Sequence, residues 1–280
     1  MQKFLDKMRT DMELRNMSQN TIEGYLRRVQ VFLRDTHVEN DNISIEDIRN
    51  YIICLKQDKK LSLGTINAYV SALKFFYDIT LEKDWNHRKV PRMRGYKSLP
   101  AVLSKDEVFE VIDSIKNLKH KAILMTMYGS GLRVSEVANL KVSDIDSKNL
   151  QIFVRQSKNR SDRYAILSKT NLELLRTYWL KCGKPKDWLF PGNQPDKPIH
   201  VKTIKNLVLK VKGRLGISKK ISAHTFRHAF ATHLLENGVQ LTHIQHLMGH
   251  KCFQSTTKYL HMTSKAMMNV KSPLDHDEVT

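Results

Sequence analysis

His224, Arg227, His250 and Tyr259 fall within a 36-residue stretch near the C-terminus of a 280-residue chain. Imidazoles exchange protons near neutral pH, and a guanidinium holds phosphate oxygens through a charged fork. A phenol can attack phosphorus once its proton has somewhere to go. The chemistry these side chains could perform together is cleavage of a phosphodiester, with tyrosine as the nucleophile. The expected substrate is DNA.

The composition agrees with a polyanionic partner. The chain carries 47 Lys and Arg against 28 Asp and Glu, a formal charge of +19 and a pI near 9.8. Neutralising phosphates is the main sequence-independent source of nucleic-acid affinity, so an excess of this size points that way. Residues 1–97 hold 18 basic and 13 acidic side chains, and residues 98–280 hold 29 and 15, so both parts are basic and the second more so. Cys54, Cys182 and Cys252 are far apart and form no CxxC pair, which excludes a disulfide framework or a cysteine-rich zinc site. The first residues reach charge too quickly for a signal peptide, and no apolar run is long enough to span a membrane. A cytoplasmic protein with no membrane partner is the expectation.

Positioning these residues requires helices above all. Ile22, Tyr25, Leu26, Val29, Phe32 and Leu33 recur at helical spacing, as do Ile45, Ile48, Ile52 and Leu55 behind a capping box formed by Ser44 and Asp47. A further helix carries Ile66, Tyr69, Val70, Leu73, Phe76 and Tyr77. Aromatics at this spacing read as core rather than as stacking platforms for bases. Arg27, Arg28, Lys56, Lys59, Lys60 and Lys74 are left for outer faces, as phosphate contacts or as ordinary solvated charges. The segment His87-Arg-Lys-Val-Pro-Arg-Met-Arg-Gly-Tyr-Lys-Ser-Leu-Pro100 lacks periodicity and reads as a basic linker. Ser104 to Glu107 is a second capping box that opens a second domain.

In that domain, helical spacing runs over 122–128 and 132–140. Leu150 to Val154 and Arg163 to Ser168 then alternate as two strands of a hairpin with a polar, basic tip. Helices return over 171–180, 201–214, 225–237 and 241–248, with Gly238 and Gly249 at their C-terminal ends. The expected fold is mainly α with a small β-sheet (α+β). Its expected organisation is a helical DNA-binding domain over 1–87, a linker over 88–99, a catalytic domain over 100–272 and a tail over 273–280.

Four motifs, in order, carry a resemblance: Gly131-Leu-Arg133-Val-Ser-Glu136, His224-Thr-Phe-Arg227-His-Ala-Phe-Ala-Thr-His233, Leu247-Met-Gly-His250 and Thr257-Lys-Tyr259. Their order and spacing resemble the tyrosine recombinase (phage integrase) family, and within it the bacterial Xer-type recombinases and integrases of mobile elements. The resemblance spans both parts of the chain. It implies an N-terminal core-binding (SAM-like) domain and a site-specific recombinase that breaks and rejoins DNA through a 3′-phosphotyrosyl bond and a Holliday junction.

The resemblance also implies roles. Arg133 and Arg227 match the paired arginines on the nonbridging phosphate oxygens. His224 matches the base or phosphate ligand, His250 the second phosphate-bonding histidine, and Tyr259 the nucleophile. Lys158 matches the hairpin lysine that protonates the departing 5′ oxygen, although the family's GKGxKxR spelling is reduced here to Gln156-Ser-Lys158-Asn-Arg-Ser-Asp-Arg163. Bond energy kept in the phosphotyrosine removes any need for ATP, and there is no GxxxxGK[ST] loop. No cofactor and no metal are therefore expected.

The remaining histidines read as structural. His228, His233, His243 and His246 could join a metal cluster with His250, but no HExxH pattern or ligand carboxylate accompanies them, so core or hydrogen-bonded roles are expected. Glu136, three positions after Arg133, is expected to orient that arginine. The partners implied are double-stranded recombination sites and three further copies of the chain in a synaptic homotetramer. Exchange of the C-terminal segment beyond Met262 would link the copies, with room for a second recombinase or accessory proteins. A nucleoid-associated location in bacterial cytoplasm follows. A type IB topoisomerase and a DNA-binding regulator without catalysis are the alternative classes.

Overall fold

The computed structural model describes residues 2–37, 42–95, 101–155, 162–250, 252–257 and 259–260. The hairpin tip with Lys158 and the tail from residue 261 lie outside these residues. Two compact units form, Met1–Lys97 and Ser98–Thr280.

The first unit is helical. Helices α1 (Gln2–Leu14), α2 (Gln19–Thr36), α3 (Ile45–Gln57) and α4 (Leu63–Phe75) enclose a core that includes Met8, Met12, Val29, Phe32, Ile48, Leu55, Ile66 and Phe76. Removing these side chains from water is the main force holding the unit together. Helix α3 starts at the expected capping box: the Ser44 N–H donates to Asp47 Oδ2 at 2.8 Å, and the Asp47 N–H to Ser44 Oγ at 3.2 Å. The helical reading through Tyr77 needs one correction, because α4 gives way to a π-turn over Phe76–Thr80. The wider turn buries Phe76, Tyr77 and Thr80 together, and Thr80 Oγ1 donates to Asp11 Oδ2 on α1 at 3.0 Å.

The second unit has a large core made by α5 (Lys105–Asp113), α6 (Leu118–Gly129), α7 (Val134–Ala138), α8 (Lys169–Lys181), α9 (Val201–Arg214), α10 (Ala223–Glu236) and a three-stranded antiparallel sheet. The sheet runs β1 (Ile145–Asp146), β2 (Gln151–Val154), β3 (Arg163–Ile166), with Ile152 opposite Ala165 and Val154 opposite Arg163. Sequence alternation finds β2 and β3 but not the two-residue β1. Helix α7 is shorter than the spacing over 132–140 implies, because Arg133 is extended (φ −71°, ψ 151°) and stands at its N-terminal boundary.

A satellite core joins α10 to α11 (Leu241–Met248) and the short α12 (Gln254–Thr257), and contains Phe230, Ala231, Ile244, Met248 and Tyr259. Among the described residues, no helix is long and apolar enough to cross a membrane.

Candidate active site

Three backbone features bring the motifs together. Gly131 adopts φ +62° ahead of α7, and a Cβ there would run into the Phe230 ring, so glycine is required at this close approach. Its carbonyl accepts from Arg227 Nη1 at 2.6 Å. Helix α11 stops at Gly249, which is left-handed at φ 60°, ψ 48°, and this turn redirects the chain at His250. Helix α10 presents His224, Arg227 and His228 at spacings of three and four, which is one face of a helix.

Glu136 is the centre of the arrangement. Its carboxylate accepts from the Arg133 N–H at 2.8 Å, which closes the first turn of α7, and from Arg133 Nη1 at 2.6 Å. It also accepts two bonds from Arg163 and stands 3.7 Å from Arg227 Nη1. Burial alone would raise this carboxyl. The hydrogen bond and charge of Arg163, together with the N–H and charge of Arg133, overcome that and hold it at about 2. One carboxylate among three guanidiniums leaves an excess of positive charge in a buried place, which suits an incoming anion.

Arg227 is 4% exposed. Its Nη2 donates to Met248 O at 2.5 Å and faces His250 Nε2 at 3.1 Å. A guanidinium only donates, so His250 Nε2 accepts, and the proton of the neutral ring sits on Nδ1, 2.9 Å from Thr256 Oγ1. Burial, helped by the Arg133 charge and opposed by Glu136, pushes Arg227 down to about 9, so it stays a cation at neutral pH.

Tyr259 is fully buried. Its ring is stacked on His250 with centroids 6.5 Å apart and planes 8° from parallel. Its hydroxyl lies 3.0 Å from His228 Nδ1. Burial pushes the phenol up to about 12, although the charges of Arg227 and Arg133 pull the other way.

Of the six residues read from the sequence, Arg133, Arg227, His250 and Tyr259 share this one site. Arg133 Nη2 reaches Gly249 O at 3.5 Å, next to His250. His224 lies exposed on the first turn of α10, one turn before His228. Lys158 is outside the described residues, on the connection between β2 and β3.

Two contributors escaped sequence reasoning. Arg163 was read only as the close of the hairpin motif, yet it is buried and ties β3 to Glu136 and to Leu247 O at 3.1 Å. Its signal was the strand alternation, which puts residue 163 on the same inward side as Ala165 and Leu167. His228 was read as structural, yet it contacts the Tyr259 hydroxyl. Its signal was the four-residue offset from His224. His233 does fit the structural reading, with Nδ1 3.0 Å from the Tyr128 hydroxyl. Among the described residues, no group of three or more His, Cys, Asp or Glu side chains is arranged to hold a metal ion.

A helical unit joined to a helix-rich domain with two arginines, histidines and a tyrosine on one site defines a class of DNA-strand-transferring enzymes. Residues 101–266 match the model of the phage integrase family, and residues 4–87 match that of the phage integrase N-terminal SAM-like domain. The chain therefore belongs to the phage integrase family of tyrosine recombinases, which break and rejoin DNA.

Its relatives agree. The Sinorhizobium fredii protein y4qK, whose name places it among integrases/recombinases, is 40% identical over 270 residues, 96% of this chain and 87% of its own length. The tyrosine recombinase XerA of Pyrococcus horikoshii is 34% identical over 267 residues, covering 94% of this chain and 90% of that protein. A crystal structure of XerA recombinase covers 95% of this chain and 96% of its own at 29% identity, with a TM-score of 0.56. A lambda integrase dimer bound to a core site shares the fold at a TM-score of 0.75, over 100% of this chain and 99% of its own, at 18% identity.

Proposed function

We propose that this protein recombines DNA at specific sites by forming a 3′-phosphotyrosyl bond through Tyr259. The observation that carries this reading is the convergence of Arg133, Arg227 and His250 on the buried Tyr259. In it, Arg133 and Arg227 hold the nonbridging oxygens of the scissile phosphate, where charge gathers in the transition state. His250 and His224 add hydrogen bonds to the same phosphate. Lys158 protonates the departing 5′ oxygen.

A 5′ hydroxyl from a partner duplex then attacks the phosphotyrosine and reverses the first step. Two such exchanges, with a Holliday junction between them, join two duplexes held by four copies of the chain. The C-terminal segment passes between neighbouring copies and closes the ring. The enzyme works in the cytoplasm on the nucleoid and needs no metal or nucleotide. The family membership and the +19 charge both support DNA as the substrate.

The test starts by mapping cleavage by the purified protein on genomic DNA that flanks its coding region. A nicked duplex carrying the mapped site should then trap the protein covalently, and Tyr259→Phe should abolish the adduct. Strand transfer between two marked duplexes is the expected second result. Relaxation of supercoils without transfer would make the protein a topoisomerase, and binding without an adduct would make it a regulator.

A further inference from the structure

Something must take the proton of Tyr259, and the structure limits the choice. The phenol is buried and its proton is held tightly, so attack at neutral pH requires a base within hydrogen-bond reach. His250 is poorly placed for that task. Its Nε2 accepts from Arg227, its Nδ1 faces Thr256 Oγ1, and it meets the tyrosine ring face to ring face. His224 is exposed on the first turn of α10. His228, on the next turn, has its Nδ1 3.0 Å from the Tyr259 hydroxyl, with ring centroids 5.7 Å apart.

We propose that His228 is the general base of strand cleavage and the acid of rejoining, a role distinct from the phosphate contacts of His224 and His250. The inference rests on Tyr259 being the nucleophile. In cleavage the Tyr259 O–H bond breaks as the Oη–P bond forms, and the proton passes to His228 Nδ1. The bond from phosphorus to the 5′ oxygen breaks, and that oxygen takes a proton from Lys158. In rejoining, the 5′ hydroxyl attacks and gives its proton back to Lys158, the Oη–P bond breaks, and His228 returns its proton to Tyr259.

The charges nearby decide when this works. His224 and Arg227 share α10 with His228, His250 lies against Tyr259 from the turn after α11, and the charges of Arg133 and Arg227 both reach the phenol. With no DNA bound, the charges of Arg133 and Arg227, offset only in part by Glu136, oppose a further positive charge on His228. The scissile phosphate brings a negative charge that offsets them, so proton transfer becomes favourable only once substrate is seated. Burial of Tyr259 and this charge balance together guard the nucleophile against premature reaction.

Single-turnover cleavage of the nicked duplex described above, followed as covalent adduct across pH, tests the assignment. His228→Asn keeps an acceptor oxygen near the position of Nδ1 but cannot take a proton. It should bind the duplex as the wild type does, cleave about 100-fold more slowly or worse, and lose the rise in rate through the imidazole range. His228→Ala should be equally slow and regain cleavage in added imidazole, while His224→Asn should be slower yet keep the imidazole-range rise. Unfolding midpoints near that of the wild type show that the loss is chemical, and His228→Gln repeats the test if the asparagine variant does not fold. Cleavage by His228→Asn within about threefold of the wild type would overturn the assignment, since a lost general base costs far more. If the wild-type protein itself forms no adduct, the nucleophile assignment fails first, and this inference with it.

Discussion

Glu136 and Arg163 face each other as a two-bond pair, Nη1 to Oε1 at 3.0 Å and Nη2 to Oε2 at 2.8 Å, with both side chains about 5% exposed. The pair links β3 to the first turn of α7, and therefore links the hairpin that bears Lys158 to the arginine that opens α7. A buried ion pair of this kind adds little over a well-packed apolar pair, but breaking it leaves a buried charge without compensation.

Glu136→Ala should therefore cost about 3–5 kcal/mol of stability, because Arg133 and Arg163 would both lose a buried partner. Denaturant unfolding measures this as a lower midpoint at an unchanged slope. A loss below about 0.5 kcal/mol, the range of ordinary surface changes, would show that water or other groups replace the carboxylate at no cost.

The same carboxyl sets an acid limit on the domain. Its folded pKa of about 2 lies below the ordinary 4.5, so its contribution is fully present above pH 4.5 and is lost as pH falls toward 2. A shift of that size corresponds to about 3 kcal/mol. Stability measured from pH 5 to 2 should fall less steeply in Glu136→Gln than in the wild type. Equal slopes would place the acid sensitivity elsewhere.

Much of both units could be read from residue patterns because helices such as α3, α9 and α11 bury one stripe each. The spacing of apolar residues over 201–214 and 241–248 marks α9 and α11 from end to end, and the Ser44 and Ser104 caps follow from local hydrogen bonding alone. The π-turn at Phe76 was not legible, because it answers to packing against α1 rather than to any local preference. Within the site, Arg133, Arg227, His250 and Tyr259 could be chosen from the motifs. The contact between His228 and Tyr259 could not, since it joins residues 31 positions apart on elements whose docking no local pattern encodes.

Gly249 tests how tightly the turn before His250 is drawn. Its φ of 60° is strained for any side chain, and a Cβ would stand 2.9 Å from Arg163 Cδ. Gly249→Ala should cost about 1–3 kcal/mol in stability. Cleavage should fall further than stability accounts for, because the displaced Arg163 and His250 both belong to the site. Single-turnover rates measured well below the unfolding midpoint separate the two effects, and a rate equal to that of the wild type would show that the turn tolerates a methyl group.

The role proposed for Lys158 rests on the motif that ends at Arg163, and a change of leaving group tests it. Lys158→Ala should bind the nicked duplex normally and cleave about 100-fold more slowly or worse, the usual cost of a lost general acid. A substrate with sulfur in place of the departing 5′ oxygen leaves without protonation, so it should restore the rate. Normal cleavage of the oxygen substrate by this variant would remove Lys158 from the mechanism.

Arg227→Lys tests whether a fork is needed or only a charge. Arg227 sends Nη1 to Gly131 O and Nη2 to Met248 O and His250, so the guanidinium plane is fixed by the turn before α7, the end of α11 and the histidine that follows. A lysine ammonium keeps one positive charge but cannot hold that plane or offer two parallel donors to a phosphate. DNA binding, which draws on many basic side chains, should change little. Cleavage should fall by about 10²–10³, the loss typical when one fixed donor to a transition-state oxyanion is removed. If the lysine variant cleaves at the wild-type rate, charge alone stabilises the transition state, and the contacts to Gly131 and Met248 serve only to seat the arginine.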